Sequence, residues 1–432
     1  MPADYRRIAD FLKAAIAGRP PADLARLQPH HRDVTPRVPS GGGATPAAID
    51  ARWALPDLPQ AARPVLCDER TQDEAVQYDR NVEQFIGIAR VPVGLIGPIR
   101  VNGMFAHRDY YVPLATTEAA LVASYARGAR LITEAGGCTT LVVNEGVSRA
   151  PGFAFDTVVD AALFIAWTTT QWDDFRRVAA ETTRHGVLVD LEVTLEGNHA
   201  YLGFEFTTGD ASGQNMVTLA TEAICAYIEA QSPVTPKYYF LEANLSGDKK
   251  ATARSFLSVR GRKVTAEVRL PAALVEQRLH TTPDRMVDYW RMSALGGVMS
   301  GSLGVQGHYA NGLAALFIAC GQDAATVAEA AVGVTRFERL DDGGLYAAVT
   351  LPNVIVGTVG GGTGLPTQRA CLEIMGLHGA GHARALAEVA TAVALAGELS
   401  ISGALAAGHF AEAHRRLARG REPRDARDTP PA

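Results

Sequence analysis

The sequence predicts an α+β protein in which a compact mixed domain is inserted into a larger one. Between about residues 155 and 240, helical patterns at "FDTVVDAALFIAWTTTQW" and "NMVTLATEAICAYIEAQ" flank the alternating runs "GVLVDLEVTLEG" and "HAYLGFEFTTG". That is the pattern of half-buried antiparallel strands packed beside helices. On either side, apolar stretches at helical spacing, "VPLATTEAALVASYARGARLI" and "YANGLAALFIACGQDAATVAEAAV", point to a second and larger core. No repeat of fixed period occurs, and no GxGxxG follows a strand, so neither a solenoid nor a Rossmann unit is expected.

Taken in order, residues 1 to about 30 alternate apolar and charged positions at helical spacing. The Pro/Gly-rich "QPHHRDVTPRVPSGGGATP" reads as a linker, and "AAIDARWAL" as a short helix. Thr-Thr-Glu in "VPLATTEAALVAS" is a helix-start signal. After the insertion, "KVTAEVRLP" and "LYAAVTLPNVIVG" read as strands, and a long C-terminal helix ends near "FAEAHRRLARG". The tail "GREPRDARDTPPA" carries nothing apolar that would anchor it and is expected to be disordered.

Composition narrows the function. With 47% hydrophobic and 20% charged residues in 432, the chain is that of an ordinary soluble globular protein. A formal net charge of −5 gives no field for holding a nucleic-acid backbone. Five scattered cysteines without a CxxC pair fit reduced thiols and argue against a disulfide framework or a zinc site. The N-terminal residues carry charges through what a signal peptide would keep apolar, and Glu398 and glycines interrupt the most apolar late segment. A cytoplasmic protein with no membrane span, no nucleic-acid partner and no metal is therefore expected.

Five of the 41 basic residues are lysines, and two of them, Lys249 and Lys250, stand together in "LEANLSGDKKATA". A lysine is a compact point charge suited to one developing oxyanion, where arginine is a broad fork; a solvated turn explains the pair equally well. Glu118, at a helix start between apolar residues, is a general acid or a carboxylate complementing the helix dipole. Asp323 follows an apolar run ending at Cys320-Gly321, so it is expected to be buried with a cationic partner, or else to cap the next helix. His409 and His414 are five apart, which disfavours one shared metal and leaves a proton donor or a surface histidine. "GTVGGGTG" and "GDASGQN" allow close backbone approach to a ligand, or are simple turns.

Together and in this order, "EQFIGIARVPVGLIGPI", "VPLATTEAALVAS", "GDASGQN", "GDKKATA", "ACGQDAA", "GTVGGGTGLPTQRACL", "AGELS" and "LAAGHFAEAH" resemble the hydroxymethylglutaryl-CoA (HMG-CoA) reductase family across about residues 80–417. In its N-terminal segment the chain is similar to the soluble microbial members. The resemblance implies reduction of an acyl thioester to a primary alcohol in two hydride steps, through a hemithioacetal and an aldehyde. Lys249 then stabilises the oxyanion, Glu118 supplies a proton, Asp323 links the two, and His414 protonates the departing thiolate. "ETTRHG" places Thr183 and Arg184 at the adenosine 2′-phosphate and so favours NADPH; Asp210, Gly213, Gln214, Asn215, Gly360 and Gly361 are the other cofactor positions it implies.

The implied fold is a helical large domain (81–150 and 242–417) with an inserted ferredoxin-like NADP-binding domain at 151–241. An N-terminal helical segment, 1–80, precedes it, and a tail, 418–432, follows. A homodimer or higher assembly with active sites at the interface, and a mobile C-terminal flap carrying His414, are implied as well. Substrate positions are Arg149, Lys250, Asn311, Ser124, Arg127 and Arg130.

The departures from the family concentrate on the acyl group. Glu242 stands where the family has a serine that meets the substrate carboxylate, and a second family lysine falls near Ser293, with Arg291 the only nearby cation. On the CoA side, Ala126 and His280 replace a family asparagine and lysine. Glu242 is expected to pair with Arg149 or Lys250 if it points inward, and to leave both free if it points outward. An inward Glu242 suits a different acyl thioester, CoA- or carrier-protein-bound and possibly amine-bearing, better than HMG-CoA, whose product is mevalonate. A non-catalytic ligand-binding homologue and a secondary-alcohol dehydrogenase are the alternatives of other classes.

Overall fold

The computed structural model describes residues 5–16, 19, 20, 23, 25 and 36–408. These fall into two compact units that divide between Ile88 and Ala89. In the first, α1 (Tyr5–Ile16) buries none of its residues, and α2 (Pro46–Trp53) starts on a Thr45 side chain that accepts the Ala48 N–H. The sequence reads 36–46 as linker, yet this stretch is tied down. The fully buried Arg52 donates to the carbonyls of Pro39 (3.0 Å), Gly41 (3.0 Å), Gly43 (2.7 Å) and Phe85 (3.0 Å). A buried guanidinium surrounded by carbonyl oxygens satisfies its donors and theirs at once.

The second unit is built on a continuous sheet. Its strands are β1 (Val93–Gly103), β2 (His107–Ala115), β3 (Cys138–Arg149), β4 (Gly152–Ala154), β5 (Val187–Glu196), β6 (His199–Thr207), β7 (Tyr238–Phe240), β8 (Gly261–Leu270), β9 (Gly304–Val305), β10 (Gly333–Arg339) and β11 (Leu345–Val354). The main path runs β7-β4-β6-β3-β8-β11-β10-β9, with β1 and β2 joined through β3, and β5 joined to β6. β3 connects the two halves: Thr139 to Gly146 pair antiparallel with β8, and Val147 to Arg149 pair with β6.

Helices cover the sheet as α3 (Leu121–Glu134), α4 (Val158–Thr168), α5 (Trp172–Thr182), α6 (Gln214–Gln231), α7 (Ala272–Leu279), α8 (Pro283–Ser300), α9 (Tyr309–Ala319), α10 (Val327–Ala330), α11 (Pro366–Ile374) and α12 (Ala383–Ala406). The α+β class expected from the sequence is what forms. The 155–240 stretch carries three helices rather than two, because "WDDFRRVAAET" is an amphipathic helix, α5, that buries Phe175 and Ala179. The larger body holds more sheet than its helical patterns indicate, since β1 is broken by Gly and Pro and β3 is rich in polar residues.

Two cores result. One is aromatic, with Phe153, Phe155, Phe164, Phe175, Phe204 and Phe206 packed among β4–β6 and α4–α6; the Phe155–Phe164 and Phe153–Phe164 centroids lie 4.9 and 5.1 Å apart. The other is aliphatic and alanine-rich, and α12 runs through it with nearly every residue buried. By length and composition α12 could cross a membrane, but it is enclosed by the fold instead. Its two acidic residues are matched by donors at every oxygen but Glu388 Oε1. Glu398 accepts from the Gly307 and His308 N–H groups (both 2.8 Å) and from Thr335 Oγ1 (2.7 Å), and Glu388 from the Phe105 (3.1 Å) and Ala106 (2.7 Å) N–H groups.

Candidate active site

The Lys-Lys turn lies between β7 and β8 and folds over the end of β3. Lys249 is left-handed, with φ +56°, an uncommon state for a side chain with a Cβ. Its ammonium meets the Asp323 carboxylate at 2.7 Å, and both side chains are about two-fifths exposed. Asp323 therefore fills both roles open to it from sequence, since its other oxygen caps the turn at Ala324–Thr326 by accepting the Ala325 N–H at 3.0 Å. It is exposed rather than buried as expected. The apolar helix α9 ends at Ala319, and Gly321, at φ +67°, turns the chain outward before Asp323.

Next to Asp323, Gln322 ties this turn to the glycine-rich stretch. It donates to the Gly357 carbonyl (3.0 Å) and accepts the Gly357 N–H (2.8 Å). Gly357 in turn abuts the "GDASGQN" loop so closely that a Cβ would lie 2.6 Å from the Ser212 nitrogen, and the Thr358 N–H donates to the Asp210 carbonyl at 2.9 Å. Three stretches that are separate weak signals in sequence thus share one place in the fold. Gln322 had no sequence signal beyond its neighbour.

The expected cofactor positions behave differently from one another. Gly213, φ +81°, precedes α6, whose first turn holds no acidic residue and no side-chain cap, so the N–H groups of Gln214 and Asn215 form an open, partly positive helix end. Asp210 is engaged elsewhere: its carboxylate accepts the Gly381 (2.7 Å) and Ala383 (3.1 Å) N–H groups at the start of α12. Burial pushes that carboxyl up, but the two N–H donors and the Arg262 charge outweigh it and hold it below its usual value. Thr183 ends α5 and accepts the His185 and Gly186 N–H groups (both 3.1 Å), while Arg184 beside it is exposed and makes no ion pair with a described residue. Gly360 and Gly361 adopt φ +72° and +54° with open space where a Cβ would stand.

Glu118 does not start a helix. α3 begins at Leu121 behind a left-handed Ala120, so Thr116, Thr117 and Glu118 form a loop, exposed at Thr117 and Glu118, that the capping pattern in the sequence does not foresee. Glu118, Ser124, Arg127 and Asn311 line one cavity of about 460 Å³ together with Tyr289 and His308. Asn311 Nδ2 lies 3.5 Å from Glu118 Oε1, and Arg127 is held on α12 by the Ser400 carbonyl (2.7 Å). No ion pair or hydrogen bond joins Glu118 to Lys249 or Asp323 within the single chain, so the expected three-way link is made only between lysine and aspartate. Arg130 does not line this cavity; it pairs with Glu134 one turn along the exposed face of α3.

Arg149, at the end of β3, is buried and crowded by acids. Its Nη1 meets Asp248 Oδ2 at 2.9 Å and Glu242 Oε2 at 3.3 Å, and its Nη2 donates to Thr218 Oγ1 at 2.9 Å. Glu242 thus points inward, also accepting from Ser246 Oγ (2.9 Å) and the Ala150 N–H (3.3 Å). Glu242 Oε1 and Arg149 Nε are buried without a hydrogen-bond partner in the single chain. Lys250 is exposed and folds back to the Asp248 carbonyl at 2.9 Å, and Arg291 pairs with Asp288 on the surface. His409 and His414 lie outside the described residues.

A family model described as hydroxymethylglutaryl-coenzyme A reductase matches residues 52–419. The chain is 42% identical over 352 residues to the 3-hydroxy-3-methylglutaryl-coenzyme A reductase of Methanocaldococcus jannaschii, covering 80% of this chain and 87% of that one. It is 45% identical over 343 residues to the enzyme of the same name from Methanothermobacter thermautotrophicus, covering 79% and 86%. Its fold is shared with a solved class II 3-hydroxy-3-methylglutaryl-CoA reductase from Streptococcus pneumoniae, bound to NADPH, at a TM-score of 0.62 and 21% identity over 80% of this chain and 95% of that one. The chain belongs to the hydroxymethylglutaryl-coenzyme A reductase family.

Proposed function

We propose that this protein is an NADPH-dependent HMG-CoA reductase that converts an acyl thioester to a primary alcohol, HMG-CoA to mevalonate. The observation that carries the reading is the Lys249–Asp323 pair beside the converging glycine-rich loops. NADPH, when bound, supplies one hydride to the thioester carbonyl carbon and a second to the aldehyde that follows. The open start of α6 and the turn of half-buried Thr183 and exposed Arg184 suit its pyrophosphate and 2′-phosphate. Lys249 holds the oxygen as it becomes an oxyanion at each step, and Asp323 keeps the ammonium aimed. Glu118 delivers a proton to that oxygen, and His414 delivers one to the thiolate as the hemithioacetal C–S bond breaks. A homodimer, with each site completed by the partner copy, accommodates Glu118 standing apart from Lys249 in the single chain. With HMG-CoA the enzyme is expected to consume two NADPH per mevalonate formed; no turnover with any thioester or aldehyde sinks the reading.

The occupied Arg149 favours a second reading of the substrate. Glu242 and Asp248 already engage this guanidinium, so a substrate carboxylate would have to displace one of them or bind beside Glu242. An acyl group with an amine or neutral polar end, on CoA or a carrier protein, fits that pocket without such a conflict. Screening thioesters for NADPH oxidation with wild type and Glu242→Ser separates the two: family-typical activity of the wild type on HMG-CoA rejects the second reading, and activity gained only by Glu242→Ser supports it.

A further inference from the structure

Glu329 sits on α10 in the apolar run "AATVAEAAV", fully buried. Its two oxygens serve two different donors: Oε1 accepts the backbone N–H of Lys249 at 3.2 Å, and Oε2 accepts Arg260 Nε at 2.7 Å. Arg260, also buried, donates through Nη2 to Asp248 Oδ1 at 2.7 Å and through Nη1 to the Ser148 carbonyl at 2.5 Å. Consecutive residues of the turn are thereby gripped from beneath, Asp248 by its side chain and Lys249 by its main chain. The grip matters because a left-handed non-glycine residue is strained and persists only where its surroundings hold it.

We propose that Glu329 is a positioning residue for the reduction: by accepting the Lys249 N–H while fixing Arg260 on Asp248, it holds the turn that aims the Lys249 ammonium at the reacting carbonyl. The proposal rests on Lys249 being the oxyanion-stabilising group. Glu329 acts through the turn, by way of the Lys249 main chain and of Arg260 on Asp248. Its carboxylate is suited to the task because it offers two acceptors, one for each donor, in a place that excludes water.

Glu329→Gln in the full-length chain tests this. Glutamine has one acceptor oxygen; when Arg260 takes it, the amide NH₂ faces the Lys249 N–H and the turn is released. The expected result is a folded protein whose kcat for NADPH oxidation with thioester falls about 10- to 100-fold, whose KM for NADPH is unchanged, and whose Lys249 amide exchanges deuterium faster. A folded variant with wild-type kcat, or with unchanged exchange at Lys249, overturns the proposal. Should Glu329→Gln not fold, Arg260→Met/Glu329→Leu removes both charges together: lowered kcat with faster Lys249 exchange supports the proposal, and wild-type values overturn it. Lys249→Met, run in parallel, separates the two readings. If it stays active, the oxyanion assignment fails and with it the positioning role; if it is inactive while folded Glu329→Gln is not impaired, only the positioning role fails.

Discussion

Asp248 and Lys249 are neighbours in one turn and have opposite fates. Asp248 points inward, where Arg149 and Arg260 take both of its oxygens. Lys249 points outward, with a single carboxylate partner and two-fifths of its side chain open. The inner side is a set of mutually neutralised charges whose removal would expose the others; the outer side keeps a charge partly open to solvent. Both Asp248 oxygens are taken, whereas the Lys249 ammonium is left only partly satisfied.

The largest effect expected from breaking this contrast is on the inner side. Arg260→Met leaves Glu329 buried without its cation, and urea unfolding should show a loss of about 3–5 kcal/mol; a loss within experimental error would mean that the inner charges do not support the turn. On the outer side, Lys249→Met should leave the unfolding midpoint near wild type while kcat drops about 100- to 1,000-fold. Equal losses of stability and activity there would erase the distinction between the two sides.

The smallest effect is a pH dependence. Burial pushes the Asp248 carboxyl up, but the charges of Arg260 and Arg149 outweigh it and hold it below its usual value. A depressed folded-state pKa means stability that is present above the ordinary carboxylate value and is lost as pH falls through the depressed one. Asp248→Asn should therefore be less stable at neutral pH and show a shallower decline on acidification, read from unfolding midpoints below about pH 5. An acid limb as steep as wild type's would assign the dependence to other carboxylates.

Much of the architecture is legible in the sequence because it rests on local periodicity. The alternating "HAYLGFEFTTG" becomes β6, and "NMVTLATEAICAYIEAQ" becomes α6. Strand β3 is less legible, since its Glu145 and Arg149 are compensated by distant partners that a local window does not contain, and β1 is masked by its Gly and Pro. Helix α5 pairs Arg177 within the helix and buries only Phe175 and Ala179, a short apolar stripe. In the site, Lys249, Asp323 and Glu118 could be singled out as unusual residues in apolar or glycine-rich surroundings. Gln322 could not, having no signal beyond its neighbour, nor could Arg260 and Glu329, because an arginine in "VRGRK" and a glutamate in "VAEA" look like ordinary surface charges until the chain buries them.

By itself, the sequence determined the α+β class, the family and the residue types available for carbonyl reduction, since these follow from hydrophobic period and from motifs in a specific order. Only the tertiary structure decided which way Glu242 points, that Asp210 caps α12 rather than standing free, and that one buried carboxylate holds the Lys249 main chain. Those outcomes depend on partners tens to hundreds of residues away in the chain, and the cost of desolvation favours the arrangement in which most buried polar groups find one.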